Sequence, residues 1–159
     1  MKHLKPVFFL FFIASFLVSW GTKDSRTVRG IQPGNLAPEM NWTDLNPDNK
    51  TYVLLQFWAA SDARSRAANT QMVRTISACD DIRMISFSLD VNPAVFEGVL
   101  RADGLSPDTH FCDFKGESSP LYKTFRLQAG LSNCLVDRNG IILARDLSPE
   151  KVLEYLEKS

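Results

Sequence analysis

Tyr52-Val53-Leu54-Leu55-Gln56-Phe57-Trp58-Ala59-Ala60-Ser61-Asp62-Ala63-Arg64-Ser65-Arg66 is the stretch from which the rest of the chain can be placed. Six of the seven residues from Tyr52 to Trp58 are apolar or aromatic and do not alternate with polar ones. That pattern marks a strand covered on both faces, in the middle of a parallel or mixed sheet. Beyond Ser61 the period changes. Ala68, Met72 and Ile76 fall at i, i+4 and i+8 with Val73 beside them, which predicts an amphipathic helix that leaves Arg64, Arg66, Gln71 and Arg74 to solvent. A strand that feeds directly into a helix at the carboxyl end of a sheet is a common place for a functional site.

Working outward, Ile82 to Leu89 alternates, with Ile85, Phe87 and Leu89 on one face and Met84, Ser86 and Ser88 on the other. Asn92-Pro93 predicts a capped helix with Phe96, Val99 and Leu100 buried and Gly104 as its stop. Thr109 to Phe114 reads as a short edge strand, and a small helix is expected from Ser118 to Leu127. Asn133 to Asp137 and Ile141 to Arg145 are two apolar runs around Asn139-Gly140, the dipeptide favoured in type I′ hairpins. Ser148-Pro149-Glu150 caps a final helix in which Val152, Leu153 and Leu156 face the sheet. Upstream, Asn46 to Lys50 supplies turn chemistry before the first central strand. The fold class is therefore α/β, a central mixed sheet flanked by helices.

The chain has 159 residues, 45% apolar and 23% charged, enough for one domain with a real core. Lys2, His3 and Lys5 precede the apolar run Val7 to Trp20, the layout of an export signal. Those residues would span roughly 21 Å as a helix at ~1.5 Å each, short of the ~30 Å hydrocarbon core. Residues 1–21 are thus expected to be a cleaved signal peptide, or a membrane anchor if retained, followed by a linker over 22–36 and a domain over 37–159. Residues 22–159 hold 16 basic and 18 acidic side chains with no basic block, which argues against nucleic acid.

Phe57-Trp58-Ala59-Ala60 followed by a helix resembles the active-site approach of thioredoxin-fold proteins, in particular the exported TlpA/ResA-like group related to the AhpC/TSA redoxins. Gly34-Asn35-Leu36-Ala37-Pro38-Glu39-Met40 resembles that family's Gly-x-x-Ala-Pro-x-Phe entrance, with the role of an N-terminal extension lying on the sheet. Asp113-x-x-Gly116, Phe125 and Ser132 to Asp137 match further family positions. The resemblance runs over about residues 34–158 and implies a thioredoxin-like fold with an inserted helix.

It also implies where dithiol chemistry would sit. The two cysteines of the family's Phe-Trp-Ala-x-Trp-Cys-x-x-Cys-Arg fall on Asp62 and Ser65, its arginine on Arg66, and its cis-proline on Leu131. A carboxylate and a hydroxyl cannot exchange with a disulfide, and no Cys-x-x-Cys occurs anywhere in the chain. Ser61 or Asp62 is expected to cap the helix instead, against the alternative that Asp62, Arg64 and Arg66 form a recognition site.

Three cysteines remain. Cys79 lies beside Asp80 and Asp81, whose negative charge blunts a thiol. Cys134 sits inside a central strand, where a thiol acts as a small hydrophobe. Cys112, on an edge strand with His110 two residues before it, is the more reactive candidate. A Cys79–Cys112 disulfide stays open. One histidine outside the export segment gives no zinc spacing, and no Gly-rich loop or Ser-His-Asp order appears, so no metal or cofactor is expected. Two readings follow: an exported module, redox-inactive, that binds a protein or peptide partner in the periplasm or cell envelope, or a thiol oxidoreductase or peroxide-reducing protein acting through Cys112 or Cys134.

Overall fold

A computed structural model describes residues 28–158. The expected signal peptide, its cleavage near Thr22 and the first part of the linker lie outside the described residues. The chain order is α1 (Trp42–Leu45), β1 (Tyr52–Trp58), α2 (Ala63–Ile76), β2 (Ile82–Ser88), α3 (Pro93–Asp103), β3 (His110–Cys112), α4 (Pro120–Thr124), β4 (Asn133–Asp137), β5 (Ile142–Arg145) and α5 (Pro149–Glu157). Five strands form one mixed sheet in the order β3-β2-β1-β4-β5. β1 pairs in parallel with β2 and antiparallel with β4, and is the central strand, as its run of apolar residues around Gln56 suggests.

Period-two alternation divides the core in two. Val53, Leu55, Phe57, Ile85, Phe87, Cys134, Val136 and Ile142 face one layer, closed by Ile31 and Ala37 from the N-terminal extension and by Phe125 and Leu127. Leu54, Met84 and Leu135 face the other, where Met72 and Ile76 of α2 and Val152 of α5 cover them. Trp58 extends that second layer to Phe96, Val99 and Leu100 of α3. α3 has the expected anatomy: the Asn92 side chain accepts from the Ala94 N–H, Pro93 opens the helix, and Gly104 ends it in the left-handed region.

Some expectations are corrected. The stripe of α2 that packs inward is Ser65, Asn69, Met72 and Ile76, while Ala68 is exposed. The stripe is displaced because two polar residues on it find buried partners. The hairpin is not type I′, since only Gly140 has positive φ. The Asp137 carboxylate accepts from the Asn139 and Ile141 N–H groups, and the Gly140 N–H bonds the Asp137 carbonyl. That holds Arg138-Asn139 in an ordinary turn followed by a left-handed glycine, the three-residue hairpin loop. The small helix expected over 118–127 is broken into α4 between short 3₁₀ turns at Gly116–Ser118 and Leu127–Ala129. Leu153 is only half-buried on α5.

Within the described part of the extension, Val28 is exposed while Ile31 and Ala37 are buried, and the backbone between them is hydrogen-bonded to the sheet edge. Leu36 bridges Arg29 and Ile141, the Gly34 N–H bonds the Ile142 carbonyl, and the Ile142 N–H bonds the Asn35 carbonyl. These contacts cover the outer edge of β5, which would otherwise present unpaired backbone groups.

Candidate functional site

The site is built on the turn between β1 and α2. Asp62 has extended backbone angles and its carboxylate accepts from the N–H groups of Arg64 at 3.0 Å and Ser65 at 3.2 Å. This is an N-cap, with the added favour of a negative charge at the positive end of the helix. Ser61, the other capping candidate, is exposed and takes no such role. Ser65 is buried; its hydroxyl donates to the Asp62 carbonyl at 3.2 Å and accepts from the Ala59 N–H at 3.3 Å. The side chains of Asp62 and Ser65 are therefore both bound to the backbone that shapes the turn.

The turn is held from outside as well. Asp90, buried just after β2, accepts from the Ala60 N–H with both carboxylate oxygens, at 3.0 and 3.2 Å, and from the Ser88 hydroxyl at 2.6 Å. Arg66 leaves the turn altogether for a bidentate pair with Asp103 of α3, at 2.7 and 2.8 Å. That hydrogen-bonded pairing holds the Asp103 carboxyl below the usual carboxylate range. The expected cap is what forms; of the alternative grouping, Asp62 and Arg64 line one groove while the Arg66 side chain turns to Asp103.

What the fold does bring together is Asp62, Ser65 and Leu131, on the walls of a groove of about 610 Å³. Such a volume suits a ligand segment of modest size. Leu131 follows Gly130 in a loop whose peptide bonds are all trans. At the floor, the Asn133 amide donates to the Leu147 carbonyl at 2.8 Å and to Gln56 Oε1 at 3.3 Å, and its oxygen accepts from the Leu147 N–H. Arg64, Arg126, Arg145 and Asp146 complete the charged part of the lining. Arg126 and Asp146 both adopt positive φ, an uncommon state for residues with side chains.

The thiols lie elsewhere. Cys79, Cys112 and Cys134 are all free, and Cys79 and Cys112 pack in different core clusters, so the open disulfide is not formed. Cys134 is 1% exposed, and burial pushes its thiol up to about 12. At pH 7 only about 10⁻⁵ of it would be thiolate. Cys112 is half-buried; its thiol donates to the Asp90 carbonyl at 3.1 Å, and burial raises its pKa too.

His110 does not serve Cys112. It is buried, its Nδ1 lies 2.9 Å from the Ser106 carbonyl and its Nε2 lies 3.2 Å from the Asn69 amide nitrogen. Those partners fix a neutral ring with the proton on Nδ1 and Nε2 accepting. Asn69 in turn accepts from the Ser86 hydroxyl at 2.6 Å. Burial lowers the pKa of His110, which makes it a satisfied core residue rather than an acid or base for a thiol.

Sequence reasoning missed Gln56, Arg126, Asn133, Arg145 and Asp146 as groove residues, and Asp90 as the clamp. One signal was present for Gln56: it is the single polar residue in an otherwise apolar central strand. The others come from segments that only the folded sheet brings side by side. Among the described residues, no group of three His, Cys, Asp or Glu side chains could hold a metal ion, and no helix is long and apolar enough to cross a membrane.

No protein-family model matches the chain, and no curated protein matches it. Solved structures do. A thioredoxin-like protein from Parabacteroides distasonis ATCC 8503 is 36% identical, over 82% of this chain and 98% of its own, with a TM-score of 0.75. A thiol-disulfide oxidoreductase from Bacteroides fragilis NCTC 9343 is 30% identical, over 69% of this chain and 81% of its own, with a TM-score of 0.58. The thioredoxin domain of a thiol-disulfide oxidoreductase from Bacteroides vulgatus, 22% identical over 72% of this chain and 82% of its own, with a TM-score of 0.61, is alike in fold.

Proposed function

Since this chain belongs to the thioredoxin-like superfamily, among thiol-disulfide oxidoreductases of the TlpA/ResA-like type, we propose that it is an exported member that has given up thiol exchange and binds a protein or peptide segment in the retained groove. The observation that carries this reading is the occupation of both dithiol positions by side chains with structural work: Asp62 caps α2, and Ser65 ties the turn to β1. Export rests on the Lys2–Lys5 segment and the apolar run behind it. The groove is open beside the helix start and bordered by backbone of the Gly130-Leu131-Ser132 loop, a setting that suits an extended segment.

The rival reading, an oxidoreductase or peroxide-reducing protein working through Cys112 or Cys134, asks for an accessible thiolate. Burial and the raised pKa of both thiols weigh against it. Reduction of insulin by dithiothreitol separates the two. The protein is expected to run at background; turnover well above background that disappears on mutating any one cysteine would overturn the binding-module reading.

A further inference from the structure

We infer that the groove selects acidic segments: a partner peptide docks an Asp or Glu side chain against Arg145, with Arg64 and Arg126 flanking it. This deepens the peptide-binding reading above and rests on it. Three arginines and two acids line the groove, although the sequence as a whole carries equal numbers of basic and acidic side chains. Asp62 is already engaged by two backbone N–H groups of α2, which leaves Asp146 as the one carboxylate of the lining not engaged in this way. None of the three arginines has an ion-pair partner among the described residues.

Arg145 is the least satisfied of them. It stands on β5 opposite Cys134, half-buried over the layer that holds Ile31 and Phe125. Among the described residues its guanidinium donates hydrogen bonds only to the Ile31 and Phe125 carbonyls, each at 3.5 Å, and its Nε–H is shielded from solvent without an acceptor. A fork of five donors held by two contacts at the limit of hydrogen-bonding distance retains most of its capacity. A planar carboxylate is the group whose geometry matches it. The left-handed backbone at Asp146 ends β5 immediately after Arg145, and that at Arg126 follows Phe125, so both uncommon conformations border the arginine's seat.

The test uses protein purified from its native compartment and an array of random decapeptides, N-acetylated and C-amidated so that side chains supply all the charge. Binders enriched in Asp and Glu, with affinity that falls as salt rises, support the assignment. Replacing the key Glu of a binder by Gln is expected to weaken it about tenfold or more, the scale of a hydrogen bond to a charged group. Arg145→Gln should lose the acidic preference. Exposed Arg64→Gln, which leaves the packing intact, should weaken acidic binders a few-fold with an unchanged melting temperature. Binders that are neutral or basic, or indifferent to Glu→Gln, overturn the acidic selection and leave peptide binding standing. No binding by any peptide overturns both.

Discussion

Writing a dithiol into positions 62 and 65 tests most directly the proposal that Asp62 and Ser65 serve the turn rather than thiol exchange. In Asp62→Cys/Ser65→Cys the cap bonds to Arg64 and Ser65, at 3.0 and 3.2 Å, are lost. Removing an N-cap carboxylate costs about 1 kcal/mol. At position 65 a buried hydroxyl with two partners becomes a thiol, a weak donor and acceptor, which costs about another 1 kcal/mol. The reduced variant should therefore be less stable by about 2 kcal/mol, a fall in melting temperature of roughly 7 °C for a domain of this size. Oxidation closes a four-residue loop, which restricts the unfolded chain by about 1.9 kcal/mol on the chain-entropy relation and brings the oxidised variant back near wild type. By the same cycle the folded pair is about 40 mV more reducing than in the unfolded chain. The assays are thermal melts of the reduced and oxidised forms and insulin reduction beside the wild type. The variant should turn over, because its cysteines would stand at a helix start on the wall of an open groove. A reduced variant that melts with the wild type would show that Asp62 and Ser65 are not structural. A wild type that reduces insulin as fast as the variant would show that the dithiol was not the missing part.

Burial of His110 lowers its pKa from 6.5, so the unfolded chain binds the extra proton first as the pH falls. Stability should be level above about pH 6.5 and decline below it by at most about 1.4 kcal/mol per pH unit, until the folded-state pKa is passed; urea melts at pH 7.5 and 5.5 should show a larger loss for the wild type than for His110→Gln, and equal losses would refute the buried neutral ring. Gly116→Ala should cost about 1–2 kcal/mol. A Cβ there would lie 2.8 Å from Val91 Cγ1, but Val91 is exposed and can turn away, so the φ of +54° sets the cost; a variant as stable as wild type in a urea melt would contradict this. Thiol labelling of the native protein at pH 7 should leave Cys134 unmodified until urea unfolds the chain, and prompt labelling of Cys134 would refute its burial.

Much of this was legible because it is local. The apolar run at Tyr52–Trp58, broken only by Gln56, reads as a central strand, Asn92-Pro93 and Ser148-Pro149 each stand before a helical period and start a helix there, and Asp62 next to a helical period is a cap. It was the resemblance to the family's Phe-Trp-Ala-x-Trp-Cys-x-x-Cys-Arg motif, not spacing, that laid the two cysteine positions on Asp62 and Ser65. What local rules misplaced was decided by partners distant in sequence. Asn69 replaced Ala68 on the buried stripe because Ser86 and His110, from two other strands, offer it hydrogen bonds. His110 and Cys112 share a face of one short strand, yet Asn69 and Ser106 engage the histidine while the Asp90 carbonyl engages the thiol.

From its residues alone, then, the chain determined its five strands and the three long helices α2, α3 and α5 in their order, and the absence of cysteine at the start of α2. Only tertiary structure decided that Arg64, Arg126 and Arg145 would share one groove with Leu131, that Asp90 would clamp the turn from the neighbouring strand, and that two of the three thiols would be held with raised pKa values. The physical reason is range. Caps, turns and periodicity act over a few residues, whereas a groove, a buried charge and a shifted pKa are sums over neighbours that the sheet alone brings within hydrogen-bonding distance.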